Sequence, residues 1–259
     1  MLMSPQGFFR LRVLLVWASL LLAFAAFVAG FELDFSVVRE RFPNLLGLRL
    51  NPDGALQGAA LSVLVSFAAM AVAIVLGLAA ALGKLSRSAI AYGLATFYNS
   101  FFRGTPLLVQ ILLIYLGLPQ LGPVPAAIPA GIAALALCYG AYLSEIFRAA
   151  IVGVDPGQWE AAQALGMSQG ATMLRVILPQ AFKSAVPPTG AMFISLLKDS
   201  SLVSVMGLWE IMFLAQSYGR SSYRYIELLL TAAVIYWVLS IGLEFLQAWL
   251  EQRLRARHG

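Results

Sequence analysis

The sequence predicts an all-α membrane protein with about six transmembrane helices and both termini in the cytoplasm. Three observations carry that expectation. Of 259 residues, 61% are hydrophobic and 11% charged, against roughly a quarter charged in soluble domains, so the chain lacks the polar surface to face water all round. Apolar stretches of about twenty residues recur, each long enough to cross a hydrocarbon core of about 30 Å as a helix. Basic residues gather between these stretches, as orientation by positive loops requires. That clustering accounts for the net charge of +5 and leaves no nucleic-acid partner to invoke.

The first span runs from about Val13 to Phe31, behind Arg10 and Arg12. Its apolar region exceeds the roughly 7–15 residues of a secretory signal, so it reads as an uncleaved anchor. A polar stretch from Glu32 to Asn51 then lies outside. Residues 1–55 thus form an anchor and external loop, and residues 56–259 the main membrane domain. The second span covers about Leu56 to Leu82. The third is broken near its start by Gly104 and Pro106 and continues to Leu118. An uncharged outer turn, Pro119 to Pro129, leads to the fourth span, about Ala130 to Ile151. After a cytoplasmic stretch, Asp155 to Val186, the double proline Pro187-Pro188 opens a fifth span to about Met206. Gly207 to Arg224 reads as a re-entrant or interfacial piece outside, and the sixth span runs from about Glu227 to Leu250.

This topology places ten basic residues inside (Arg10, Arg12, Lys84, Arg87, Arg148, Arg175, Lys183, Arg253, Arg255, Arg257) and five outside, which favours it over its inverse. No internal repeat is evident, against a secondary transporter built from inverted halves. Cys138 and His258 are the only residues of their types, so an intrachain disulfide and a His/Cys metal cluster are excluded. His258 reads as a solvated tail residue. A phosphate-cradling loop is absent too. From Gly77 to Gly83-Lys84 the spacing is one residue too long, and Leu85 replaces the required hydroxyl. The chain is therefore not expected to hydrolyse ATP, and no cluster of catalytic polar groups marks it as an enzyme.

Asp155 to Gly166 has the grammar of a short cytoplasmic helix. Asp155 suits the N-cap and Pro156 the first helical position, and Gly166 can end the helix in the left-handed conformation. Its expected exposed face offers Ala161, Ala162 and Ala164 between Glu160 and Leu165, small side chains that admit a partner's surface. A plain capped loop helix explains the same pattern.

Glu160-Ala161-Ala162, with Gly166 four residues further on, resembles the EAA signature of permease subunits of bacterial ABC importers. Phe102-Arg103-Gly104-Thr105-Pro106, Ala141-Tyr142-Leu143-Ser144-Glu145, Leu178-Pro179-Gln180-Ala181 and Lys198-Asp199-Ser200-Ser201-Leu202 are similar to the polar-amino-acid branch of that family, in the same order, from about Gly58 onward. The resemblance implies an alternating-access pore for amino acids, with a five-helix core to which the first span here is an addition. It assigns ATPase coupling to Glu160, Ala161, Ala162, Leu165 and Gly166. It implies as partners an ABC ATPase dimer that binds ATP and magnesium, a periplasmic or lipid-anchored amino-acid-binding protein, a second permease copy or related chain, and membrane lipid. No cofactor is implied in this chain. At Ala191-Met192, where related sequences often carry a polar pair, it departs from the pattern.

Lys198 and Asp199 fall about ten residues into the expected fifth span, roughly 15 Å deep. A charge there costs about 2.5–3.5 kcal/mol on insertion scales and normally faces a cavity or a partner. Asp199 is expected to meet the solute's ammonium group or a cationic side chain, and Lys198 a carboxylate or a neighbouring helix; interhelical contacts alone for both are the alternative. Cys138 and Tyr139, mid-way along the fourth span, border the solute site in the resembling family, and Leu196 completes the expected pathway set. Arg103 and Glu145 lie toward the inner leaflet and are expected to form an interhelical ion pair or gate contact rather than a solute site. The competing reading is a stand-alone ion-coupled transporter that uses Asp199 or Glu145 as its ion site.

Overall fold

A computed structural model describes residues 5–31 and 33–256. The expectations placed on Glu32, Arg257 and His258 lie outside the described residues, as do those on the side chains of Arg10 and Arg255. Within them the chain is helical almost throughout. The helices in order are α1 (Pro5–Ala29), α2 (Ser36–Leu45), α3 (Gly58–Leu85), α4 (Ala89–Gly104), α5 (Leu107–Leu112), α6 (Ala127–Val152), α7 (Pro156–Ala164), α8 (Gln169–Thr172), α9 (Leu178–Asp199), α10 (Ile211–Ser222) and α11 (Tyr225–Ala256). A π-turn (Leu113–Gly117) and a 3-10 turn (Leu118–Leu121) extend α5, a second π-turn (Met173–Ile177) leads into α9, and 3-10 helix Ser200–Met206 follows it.

Among the described residues four helices are long and apolar enough to cross a membrane, namely α1, α3, α6 and α11; α4 and α5 form a fifth candidate, bent by 107° at the break. The third expected span is therefore corrected. Its break lies in the middle, because Ser88 caps a full helix ahead of it by accepting from the Ala91 amide. The fifth expected span is corrected as well. Pro187 and Pro188 sit inside α9, deny it two amide donors, and leave the carbonyls of Lys183 and Ser184 without intrahelical partners. Packing on α6, α11 and α3 holds the helix through them, as neighbouring helices do for proline in membranes. Lys198 and Asp199 accordingly lie at the C-terminal end of an α-helix, where it tightens into 3-10, and not ten residues from its start.

The principal core joins α3, α6 and the end of α9 through Val65, Ala69, Leu135, Leu143, Leu196 and Val203. Among the described residues α3 and α6 make the most extensive contact between helices. Small residues permit it: a Cβ on Gly140 would stand 2.5 Å from Tyr98 Oη and 3.0 Å from Leu76 Cβ. In a bilayer no hydrophobic force drives helices together, so close approach through small residues is the main source of packing energy. A second cluster joins α2, α10 and α11 through Leu45, Ile211, Leu214 and Leu228. The segment after α1 is thus packed onto the domain that follows, and Arg224 ties it down from Asp34 (3.4 Å) to Glu227 (3.4 Å). At the opposite end Ile151, Val154, Ile177 and Ala181 make a third cluster, against which Trp159 of α7 packs.

Candidate functional site

The break between α4 and α5 is stitched by one side chain. Pro106 cannot donate, and the 107° turn strips carbonyls of their helical partners. Gln110 Nε2 answers by donating to the Phe102 carbonyl (2.9 Å), the Thr105 carbonyl (3.1 Å) and Thr105 Oγ1 (2.9 Å). The Cys138 thiol approaches the same Phe102 carbonyl at 3.7 Å.

One residue further along α6, Tyr139 Oη donates to Asp199 Oδ2 at 2.8 Å. Of the expected pathway set the structure therefore joins Tyr139 to Asp199 directly. Leu196 is fully buried in the principal core beside Tyr139, and Cys138 is buried against the helix break. Lys198 stands apart from them, exposed and without an ion pair among the described residues.

Glu145 gathers more than the single partner expected of it. Its Oε1 pairs with Lys84 Nζ, accepts from Asn99 Nδ2 at 2.9 Å and lies 3.7 Å from Arg103 Nη1; its Oε2 accepts from Arg148 Nε at 3.1 Å. Four side chains from α3, α4 and α6 thus converge on one carboxylate. The Arg103 guanidinium also lies over the Tyr142 ring, 5.4 Å from its centroid, and that ring is 6.2 Å from Tyr139. Sequence reasoning passed over Tyr142, Asn99, Gln110, Lys84 and Arg148 as site residues. The spacing of 139, 142 and 145 on one helix face was the signal that could have found the first of them.

The short helix α7 is formed as its sequence dictates. Asp155 accepts from the Gly157 amide at 2.7 Å. At the far end the Gly166 amide donates to Gln163 and the Met167 amide to Ala162, with Gly166 at φ +74°, the double closure that a left-handed residue permits. Gln180 Nε2 bonds Gln158 Oε1 at 3.0 Å and fastens α7 to α9. One expected contact is corrected. Ala162 is buried, because it shares a face with Trp159 three residues earlier, whereas Glu160, Ala161, Ala164, Leu165 and Gly166 are exposed. Leu165 is 81% exposed.

Comparison with known proteins places these features in context. The family described as binding-protein-dependent transport system inner membrane component matches residues 73–256. The probable amino-acid permease protein YxeN of Bacillus subtilis is 39% identical over 225 residues, covering 86% of this chain and 96% of the relative. The arginine transport system permease protein ArtQ of the same organism is 38% identical over 226 residues, covering 87% and 99%. Among solved structures, a chain in the crystal structure of an amino acid ABC transporter with histidines superposes with a TM-score of 0.76 at 38% identity, covering 86% of this chain and all (100%) of that one.

Proposed function

This chain belongs to the family of binding-protein-dependent transport system inner membrane components, and on that premise we propose that it is the membrane-spanning subunit of an ATP-driven amino-acid importer in the bacterial cytoplasmic membrane. The observation that carries the coupling is α7. It is capped at both ends, pinned to α9, and presents Leu165 to solvent. An apolar side chain held out on a rigid knob beside Glu160 and Ala161 suits a groove in a partner. The partner of this reading is an ATPase dimer that binds ATP and magnesium and grips α7 through Glu160, Ala161, Leu165 and Gly166, with Ala162 supporting from behind.

Two copies, or this chain and a related one, line a single path, and a periplasmic or lipid-anchored binding protein delivers the solute. ATP binding closes the ATPases, and α7 passes that motion through Gln158–Gln180 to α9, which ends at Asp199. Driving such a two-state switch nearly to completion needs differential binding of about 5.5 kcal/mol, a supply that ATP binding in the partner provides. Asp199, oriented by Tyr139, receives the ammonium group of the amino acid. The helix α1 is an added anchor beyond the five-span core.

The test is purification of the tagged chain from its native membrane in mild detergent. A stoichiometric ATPase is expected, lost when Glu160 and Gly166 are replaced. A lone chain that moves solute into vesicles under an ion gradient without ATP would overturn the reading in favour of an ion-coupled transporter.

A further inference from the structure

Glu145 carries one negative charge and faces three positive ones, so the cluster on α3, α4 and α6 holds a surplus of two. The three cations are not held alike. Lys84 is the best covered, with 17% of its side chain exposed, and Arg148 lies within hydrogen-bonding distance at 3.1 Å. Arg103 is the loosest, 3.7 Å from a carboxylate oxygen already engaged by Lys84 and Asn99, and 42% exposed. Surplus positive charge at the end of the helices attracts an anionic group that can reach it.

The position of Arg103 indicates which counter-charge. Its guanidinium carbon lies 5.4 Å from the centroid of the Tyr142 ring, and with no hydrogen bond of its own among the described residues the fork can take a carboxylate in two parallel bonds. Tyr142 adjoins Tyr139, and Tyr139 holds Asp199. A negative group and a loosely held positive group are therefore linked by two aromatic rings along one face of α6. The polarity matches an α-amino acid, whose ammonium and carboxylate stand on one carbon and can reach groups about one helical turn apart. We propose that Arg103 binds the carboxylate of the transported amino acid, one turn of α6 beyond Asp199, exchanging its weak contact with Glu145 for the solute while Lys84 and Arg148 keep Glu145 neutralised. This inference rests on the reading of the chain as an amino-acid permease.

Matched probes that differ only by the carboxylate test it. L-arginine and agmatine, L-glutamine and 4-aminobutanamide, L-histidine and histamine, and L-cystine and cystamine are titrated into the purified complex, and affinity is read from the ligand-dependent rise in melting temperature. The wild type should prefer the amino acid of at least one pair by about tenfold, the worth of one charge-assisted contact. Arg103→Gln should abolish that preference and leave the affinity for the amine unchanged. Arg103→Lys, which keeps the charge and the fold, should retain part of the preference. Equal weakening of both members by Arg103→Gln, no change in either, or no binding of any pair to the wild type overturns the proposal. Asp199→Asn should weaken both members alike. If it weakens neither while Arg103→Gln removes the preference, the Asp199 assignment fails and that of Arg103 stands. Failure of the permease reading itself shows separately, as the absence of a co-purifying ATPase.

Discussion

Gln110 donates its side-chain amide to the carbonyl of Phe102, eight residues back, at 2.9 Å, and so closes the break that Pro106 opens. Gln110→Leu removes this bond and the two to Thr105, leaving partly buried carbonyls bare at a cost of about 1 kcal/mol. Cys138, the chain's only cysteine and buried against the same carbonyl, reports on it. A lower melting temperature and faster reaction of Cys138 with a maleimide are expected in the variant. Unchanged labelling and melting would mean that something other than Gln110 holds the bend.

Because Glu145 serves three cations, the loss of its charge should cost more than the loss of any one of them. Glu145→Gln leaves Lys84, Arg103 and Arg148 facing one another and is expected to destabilise the domain by about 2 kcal/mol. Swapping the pair, Arg103→Glu with Glu145→Arg, should not restore stability, since the new arginine meets Lys84 and Arg148. Thermal unfolding of the purified variants decides the matter; full rescue by the swap would reduce the cluster to a simple pair.

Gly140 and Tyr98 share one space at the crossing of α3, α4 and α6. A methyl group at Gly140 would meet Tyr98 Oη at 2.5 Å, so Gly140→Ala should cost about 1–3 kcal/mol by overpacking. Combined with Tyr98→Phe, which deletes that oxygen, the same change should cost less than about 1 kcal/mol. Equal losses in both backgrounds, measured by melting temperature, would place the clash on Leu76 instead.

Glu210 caps α10 with its side chain, accepting from the amides of Met212 (2.9 Å) and Phe213 (2.6 Å) and from Tyr236 Oη (2.6 Å). Burial pushes its carboxyl up from an ordinary 4.5 to about 7, although those three donors pull the other way. Between these values the folded state holds a proton that the unfolded chain releases, so stability falls as pH rises through this window. Melting temperatures from pH 4.5 to 8 should decline in the wild type and flatten in Glu210→Gln. A parallel decline in both would assign the slope to another group.

Much of the architecture was legible from local pattern. The apolar stretches around Leu56–Leu82, Ala130–Ile151 and Glu227–Leu250 became α3, α6 and α11, because a run of about twenty apolar residues has few ways to satisfy its backbone other than as a helix. The caps of α7 were legible for the same reason, since Asp155, Pro156 and Gly166 act on atoms two to four residues away. Proline misled in two ways. Pro187-Pro188 reads as a helix start, yet tertiary packing carries α9 through it, and Pro106 reads as a break near a span's beginning although a full helix precedes it.

By itself, then, the sequence determined most of the helices, the capped helix α7 and the family, because periodicity, capping and motif spacing are properties of neighbouring residues. Only the tertiary structure decided that Ala162 turns inward, that Tyr139 meets Asp199 across 60 positions, and that Glu145 collects Lys84 and Arg148 as well as Arg103. Those contacts depend on how α3, α4, α6 and α9 cross. Crossing is set by shape at a few small residues such as Gly140, and no local pattern in the chain encodes which distant side chain will fill the space they leave.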